Sequence, residues 1–225
     1  MMKAGIDQDA LISMFANATA KGSEQLRKAV SDATLAALQG RELTLKNIRG
    51  VLASVTQAAS AGAAKNPVVG IDVEDLLDKA ITGMDDALVK AVEANRMALQ
   101  QFVDQGADLR EKHLKKALAD LEKMEDTFIG ALKKSTAEAS GHLAKQWAPL
   151  LDKMQAGGTL SGAQASAAAE QFASQMQTAM RDSRAAGLKA AQTLAESYTA
   201  LVSGVLIGMS DALRQGGSAA RSRKK

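Results

Sequence analysis

The feature that most constrains this chain is the stretch 72–147, which contains no proline and no cluster of turn residues. Apolar residues recur along it at spacings of three and four, the pattern of an amphipathic α-helix. Asp72 is placed to cap its N-terminus, and Glu74 and Asp75 suit the positive end of the helix dipole. As one helix the stretch would be about 110 Å long, because an α-helix rises about 1.5 Å per residue.

The composition of the chain favours helices over strands. Hydrophobic residues make up 46% of the 225 residues but aromatic residues only 3%, so alanine, leucine, valine and methionine carry most of the apolar surface. The bulky residues that fill strands are scarce. The sequence therefore predicts an all-α fold, an elongated helical bundle or coiled coil. Its main elements would be one very long central helix over about 72–147 and a long C-terminal helix over about 161–214.

The apolar stripe of the long helix has the spacing of a coiled-coil seam, with a one-residue shift after His113. So narrow a stripe needs a partner along most of its length. Either the shorter helices fold back along it, or two chains pair, which would give a homo-oligomer. The candidate oligomer seam consists of Leu77, Ile81, Met84, Leu88, Leu99, Phe102 and Leu109.

Turn residues divide the chain into segments. Gly22 and Ser23 bend the first helical region, and Pro67 ends the second, because its ring disfavours a helical residue before it. Gly157 and Gly158 should end the long helical stretch. The predicted segments are an N-terminal helical pair (1–65), a turn (66–71), the long central helix (72–148), a Pro/Gly linker (149–162), a C-terminal helix (163–215) and a flexible basic tail (216–225).

The C-terminal helix carries few charges, and one part of it is apolar on nearly all sides. The run 199–209 reads TALVSGVLIGM, which is too short to cross a bilayer. It is either the most buried part of a bundle or a segment that meets an apolar surface. In the second case the surface-binding residues are Leu201, Val202, Val205, Leu206, Ile207 and Met209.

The net charge of +3 comes from the C-terminal residues of the chain. The basic tail, Arg221, Arg223, Lys224 and Lys225, carries four positive charges, so the rest is nearly neutral. Without a basic stripe elsewhere, such a tail predicts at most weak binding to nucleic acid. The chain has no cysteine, no apolar signal-peptide core and no run long enough to span a membrane, so we expect a cytoplasmic protein.

No constellation of residues indicates catalysis or metal binding. The two histidines, His113 and His142, would lie about 40 Å apart on the expected long helix, too far to share a metal ion. No glycine-rich phosphate loop and no nucleophile elbow occurs in the sequence. We therefore expect a non-enzymatic protein without catalytic residues, a cofactor or a metal site.

Alanine-rich amphipathic stretches such as 91–102 (AVEANRMALQQF) and 163–191, in a proline-poor, cysteine-free chain with a basic tail, resemble the phasins. Phasins are small helical proteins that coat polyhydroxyalkanoate storage granules and often oligomerise through coiled coils. The resemblance extends over most of the chain but contains no diagnostic motif, so it transfers no functional residue. It implies a granule-associated coat that contacts a hydrophobic granule or lipid surface.

Two other functions fit the same sequence features. A coiled-coil scaffold or adaptor would oligomerise and bind protein partners through its charged faces. A protein that remodels membranes would insert the run 199–209 into a bilayer, although that run is short. The scaffold is the principal alternative to the coat.

Overall fold

The structure is a computed structural model that describes residues 7–17, 23–39, 44–66, 72–105, 112–137 and 141–182, together with Val202 and Val205. Within these ranges the chain forms eight α-helices and no strand, which confirms the predicted all-α class. The helices are α1 (Gln8–Ala16), α2 (Ser23–Leu38), α3 (Leu45–Lys65), α4 (Val73–Asp104), α5 (Lys112–Glu122), α6 (Met124–Ala137), α7 (Gly141–Gly157) and α8 (Leu160–Asp182).

Local sequence signals set several helix ends. Asp72 caps α4 as predicted, because its carboxylate accepts a hydrogen bond from the amide of Glu74 at 2.9 Å. Helix α3 ends at Lys65, and Asn66 has the extended backbone that the following Pro67 demands. Both boundaries follow from the chemistry of two or three adjacent residues.

The prediction of a single helix over 72–147 is wrong. Helix α4 ends at Asp104, α5 and α6 follow, and α7 begins at Gly141. At the end of α4 the carboxylate of Asp104 meets the negative end of the helix dipole, and Gln105, the C-cap, precedes a glycine in the sequence. The one-residue shift in the apolar pattern after His113 falls in the first turn of α5, beyond the end of α4. Helix α4 is therefore about 48 Å long.

The predicted Pro/Gly linker over 149–162 is mostly helical. Pro149 lies inside α7, which continues to Gly157. A proline within a helix removes the hydrogen bond to the carbonyl four residues earlier, here that of Lys145. Both residues are exposed, so water can satisfy that carbonyl. The break occurs at Gly158, whose φ of 70° favours glycine, as predicted for the Gly157-Gly158 pair.

The two ends of the chain also differ from the predicted segments. Residues 1–65 hold three helices rather than a pair, because α1 ends at Ala16 and α2 begins at Ser23, after the predicted bend. Helix α8 is described to Asp182. Beyond it, Val202 and Val205 occupy helical positions, and the rest of the predicted C-terminal helix lies outside the described residues, as does the basic tail.

The helices pack around a core that centres on α4. Helices α2, α3, α7 and α8 all contact α4, while α1 and α6 pack on α3. The apolar stripe of α4 is thus covered by other helices of the same chain, one of the two alternatives for its partner. Six residues of the candidate seam are buried in this way, namely Leu77, Ile81, Met84, Leu88, Leu99 and Phe102. Leu109 lies outside the described residues.

Two glycines allow the helices to cross at close range. A Cβ at Gly83 of α4 would lie 2.5 Å from the carbonyl oxygen of Arg27 and 2.9 Å from the Cβ of Val30, both in α2. A Cβ at Gly62 of α3 would lie 2.4 Å from the Cβ of Phe15 in α1. Neither position accepts a side chain unless the backbone moves.

We expect Gly83→Ala to lower the free energy of unfolding by about 1–3 kcal/mol, the range for overpacking a core. Gly50→Ala in α3 is the matched control, because nothing lies within 4 Å of a Cβ at that position. Alanine is a better helix former than glycine, so Gly50→Ala should raise the free energy of unfolding by about 1 kcal/mol. Urea unfolding of both variants tests the close crossing, and equal stability of the two would contradict it.

Candidate functional site

Carboxylates from two other helices bind the N-terminus of α8. Asp85 of α4 accepts hydrogen bonds from the amides of Leu160 and Ser161 at 2.9 and 3.0 Å. Glu125 of α6 accepts one from the amide of Thr159 at 2.7 Å. The first amides of a helix have no partner within it, and its dipole favours negative charge there. Both carboxylates therefore help to hold this end of α8 on the bundle.

The residues at the start of α8 suit this arrangement. Thr159 caps the helix, since its hydroxyl accepts a hydrogen bond from the amide of Gly162 at 2.9 Å. Gly162 lies directly against Glu125, and a Cβ there would be 2.8 Å from the Cβ of Glu125. Asp85 is only 8% exposed, and its two amide partners compensate for the lost water. Thr159 and Gly162, predicted as linker residues, bring α8 close to α4 and α6.

A third polar contact lies farther along α8. The side-chain amide of Gln164 donates to Glu93 of α4 at 3.3 Å. Glu93 also accepts two hydrogen bonds from the guanidinium of Arg96, at 2.9 and 2.7 Å. The hydrogen bonds from Arg96, helped by the one from Gln164, hold the pKa of Glu93 below its ordinary value. We call the three carboxylates Asp85, Glu93 and Glu125 the α8 seat.

The apolar contact of α8 is made mainly by alanine. The buried hydrophobic residues of its described part are Ala165, Ala168, Ala169 and Phe172. Stabilisation by apolar burial is roughly 25 cal/mol per Å², so three methyl groups contribute little and Phe172 contributes most. Helix α4, by contrast, buries leucine, isoleucine, valine, methionine and phenylalanine side chains. The hydrogen bonds of the polar seat therefore supplement a modest apolar contribution from the side chains of α8 that are described, up to Gln175.

Two of the predicted surface-binding residues lie at described positions. Val202 is buried, at 4% exposure, and Val205 is half-buried, and both pack against the core. In this state both valines are part of the bundle, which agrees with the alternative that the run 199–209 is buried within it. Outside the described residues lie Leu201, Leu206, Ile207 and Met209 of that run and Arg221, Arg223, Lys224 and Lys225 of the basic tail.

Sequence reasoning did not identify the α8 seat, although two signals for it were present. Glu125 follows Leu121 by four residues and precedes Phe128 by three, so it occupies an apolar position of the helical pattern. Asp85 adjoins the seam residue Met84. A carboxylate at such a position is costly to bury without hydrogen-bond donors, and it therefore signals a polar partner. The pattern does not say which backbone supplies the donors.

Within the described ranges, no three His, Asp or Glu side chains converge as they would around a metal ion. His113 and His142 belong to different helices, α5 and α7, and not to one long helix as predicted. Among the helices that the structure describes, none combines the length and the apolarity needed to cross a bilayer.

Comparison with protein-family models gives a match over residues 1–215, which contain all eight helices, the α8 seat and the run 199–209. The matching family is described as "Family of unknown function (DUF6781)". The chain belongs to this family. No curated protein and no solved structure matches it. The match to DUF6781 ends before the four basic residues of the tail, so those residues lie outside the part that the family model describes.

We expect Asp85→Ala to loosen α8 selectively. The substitution leaves two buried amides without an acceptor, which should lower the free energy of unfolding by about 2 kcal/mol. Hydrogen exchange followed by mass spectrometry should show faster exchange in peptides over 159–172 than in the wild type, with α3 unchanged. Asp152→Ala, at an exposed carboxylate of α7, is the control. Unchanged exchange over 159–172 in the Asp85 variant would contradict a role in holding α8.

The lowered pKa of Glu93 predicts a specific acid sensitivity. Its ionised form stabilises the fold above the unfolded-state pKa of about 4.3, and this contribution is lost as the pH falls through the lower folded-state pKa. Below pH of about 4 the stability of the wild type should therefore fall more steeply than that of Glu93→Gln, which cannot ionise. Urea unfolding between pH 7 and about pH 3 measures this. Parallel profiles for the two proteins would contradict the assignment.

Proposed function

We propose that this protein is a non-enzymatic helical protein of the cytoplasm that coats or binds a hydrophobic surface, such as a storage granule, in the manner of the phasins that it resembles. The closed bundle would be its form away from the surface. The supporting observation is the α8 interface, in which three alanines and one phenylalanine are supplemented by the α8 seat. On the α8 side of this interface, the described side chains therefore give up little apolar burial when the helix leaves.

The energetics of adsorption favour α8 as the element that moves. An apolar face gains roughly 25 cal/mol per Å² whether it leaves water for another helix or for a hydrophobic particle. Opening therefore has to overcome only the packing and the hydrogen bonds that the particle does not replace. Departure of α8 would uncover its own apolar face and the parts of α4 and α5 on which it packs. The run 199–209 follows α8 in the chain and would add further apolar side chains.

The closed bundle offers little apolar surface before it opens. Among the described residues, the large hydrophobic side chains with substantial exposure are Met14, Met97 and Leu160. They belong to three different helices, α1, α4 and α8. Isolated apolar side chains of this kind are normal on soluble proteins and do not make a binding surface. Adsorption should therefore require opening, and Asp85→Ala, which loosens α8, should adsorb faster than the wild type.

Flotation with apolar particles tests the proposal. The full chain should float with polyhydroxybutyrate granules or with neutral lipid emulsions. A Leu206→Lys/Ile207→Lys variant should bind at least about tenfold more weakly, because two charges in the apolar run lose apolar contact and resist desolvation. Ser166→Lys/Ala167→Lys is the matched control, since it adds the same charge at exposed positions of α8. Failure of the wild type to float would contradict the coat.

A scaffold or adaptor is the second candidate, and one observation favours it. The apolar seam of α4 is closed within the chain, which leaves mainly charged helix faces for protein partners. A homo-oligomer built through Leu77, Leu88 and Leu99 would require this bundle to open, because those side chains are fully buried. A scaffold predicts a bundle that remains closed in the presence of apolar particles and does not float with them.

A further inference from the structure

A groove of about 380 Å³ lies between α3 and α6, away from the α8 seat. Its lining includes Gly50, Ala53 and Ala131, which have no polar side-chain atom and which we call the floor. The polar residues Gln57 and Ser135 also line it. No atom of the described residues lies within 4 Å of a Cβ placed on Gly50, so these residues leave space above the floor. The volume falls within the range of small-molecule pockets, roughly 300–1,000 Å³.

Three cationic side chains line this groove. Lys46 and Arg49 come from adjacent turns of α3, and Lys134 comes from α6. Among the described residues, no carboxylate lines the groove and none of the three cations forms an ion pair or a side-chain hydrogen bond. By contrast, Lys28 of α2 and Lys116 of α5 each form an ion pair with the aspartate four residues later. The groove therefore combines an apolar floor with positive charge that no described residue neutralises.

We infer that this groove binds a small anionic amphiphile, a carboxylate with an unbranched apolar chain. Lysine and arginine place their alkyl stems along apolar surface while their charged heads remain near water. The stems of Lys46, Arg49 and Lys134 can thus flank the chain of the ligand while their heads bind its carboxylate. The planar guanidinium of Arg49 can bind a carboxylate through two parallel hydrogen bonds.

The groove suits such a ligand better than a larger anion. An α-helix with its side chains is about 10 Å across, and an acidic helical peptide would need a longer, wider groove with several anchor pockets. A nucleic acid strand would need aromatic side chains for stacking, and none is among the described residues of the lining. The inference is independent of surface coating, because the groove shares no residue with the α8 seat or the run 199–209.

Decanoate below its micelle concentration is the test ligand, titrated into the full chain by isothermal calorimetry and by NMR of the backbone amides. Decanol supplies the chain without the charge, and acetate the charge without the chain. Decanoate should bind and shift the amides of Gly50 and Ala131, and affinity should fall with added salt. Decanol and acetate should each bind at least about tenfold more weakly.

Two variants with matched controls locate the site. Gly50→Leu places a side chain in the groove from a position where a Cβ meets no described atom within 4 Å, and Gly130→Leu does the same on α6 outside the lining. Arg49→Glu reverses a charge of the groove, and Lys145→Glu makes the same change on the exposed surface of α7. Gly50→Leu and Arg49→Glu should each weaken decanoate binding by about tenfold or more, and the controls should not.

Three results would overturn the inference. Decanoate binding that survives both groove variants would place the ligand elsewhere, and equal binding of decanol would show that the cations do not recognise a carboxylate. Binding of an acidic peptide but not of decanoate would assign the groove to a different class of ligand. Flotation with apolar particles should be the same for Gly50→Leu and the wild type, so failure of the groove and failure of the coat are distinguishable.

Discussion

Burial of the apolar stripe of α4 is the constraint on which the rest of the structure depends. Leu77, Met84, Leu88 and Leu99 lie on one face of this helix and have no exposure at all in the folded chain. Helices α2, α3, α7 and α8 together cover that face. The close crossing of α2 at Gly83 shows how tightly this cover fits, because a single methyl group there would meet backbone. The helices that cover α4 thus belong to the same chain as α4 itself.

The helices that cover α4 are attached to the core in different ways. Helix α3 meets the core with large apolar residues, and the indole of Trp147 in α7, itself fully buried, donates a hydrogen bond to the hydroxyl of Ser60 at 3.1 Å. The described side chains of α8 meet it mostly with alanine, and carboxylates of α4 and α6 hold the N-terminus of the helix. Alanine makes a shallow interface, while hydrogen bonds to helix-end amides are directional and are replaced by water when the helix leaves. The bundle therefore has one element whose N-terminus is precisely positioned and whose described side chains bury little apolar area.

Features that depend on neighbouring residues could be predicted from the sequence, and features that depend on distant ones could not. The cap at Asp72, the end of α3 before Pro67 and the break at Gly158 follow from local chemistry. The stripe of α4 follows from periodicity, but its break after Asp104 was hidden because the apolar pattern resumes with only a one-residue shift. The α8 seat joins Asp85 to an amide 75 residues away, and no local pattern contains that information. Likewise the α3–α6 groove exists only because two separate helices pack together.

We propose that α8 leaves the bundle when the protein meets an apolar surface, and a reversible cross-link tests this movement most directly. The chain has no cysteine, so Glu125→Cys/Gly162→Cys can form only the intended disulfide within one chain. A Cβ on Gly162 would lie 2.8 Å from that of Glu125, and a shift of about 1 Å gives the spacing of a disulfide. Oxidised protein should not float with apolar particles, and reduction should restore flotation. Flotation of the fully oxidised protein would contradict the account.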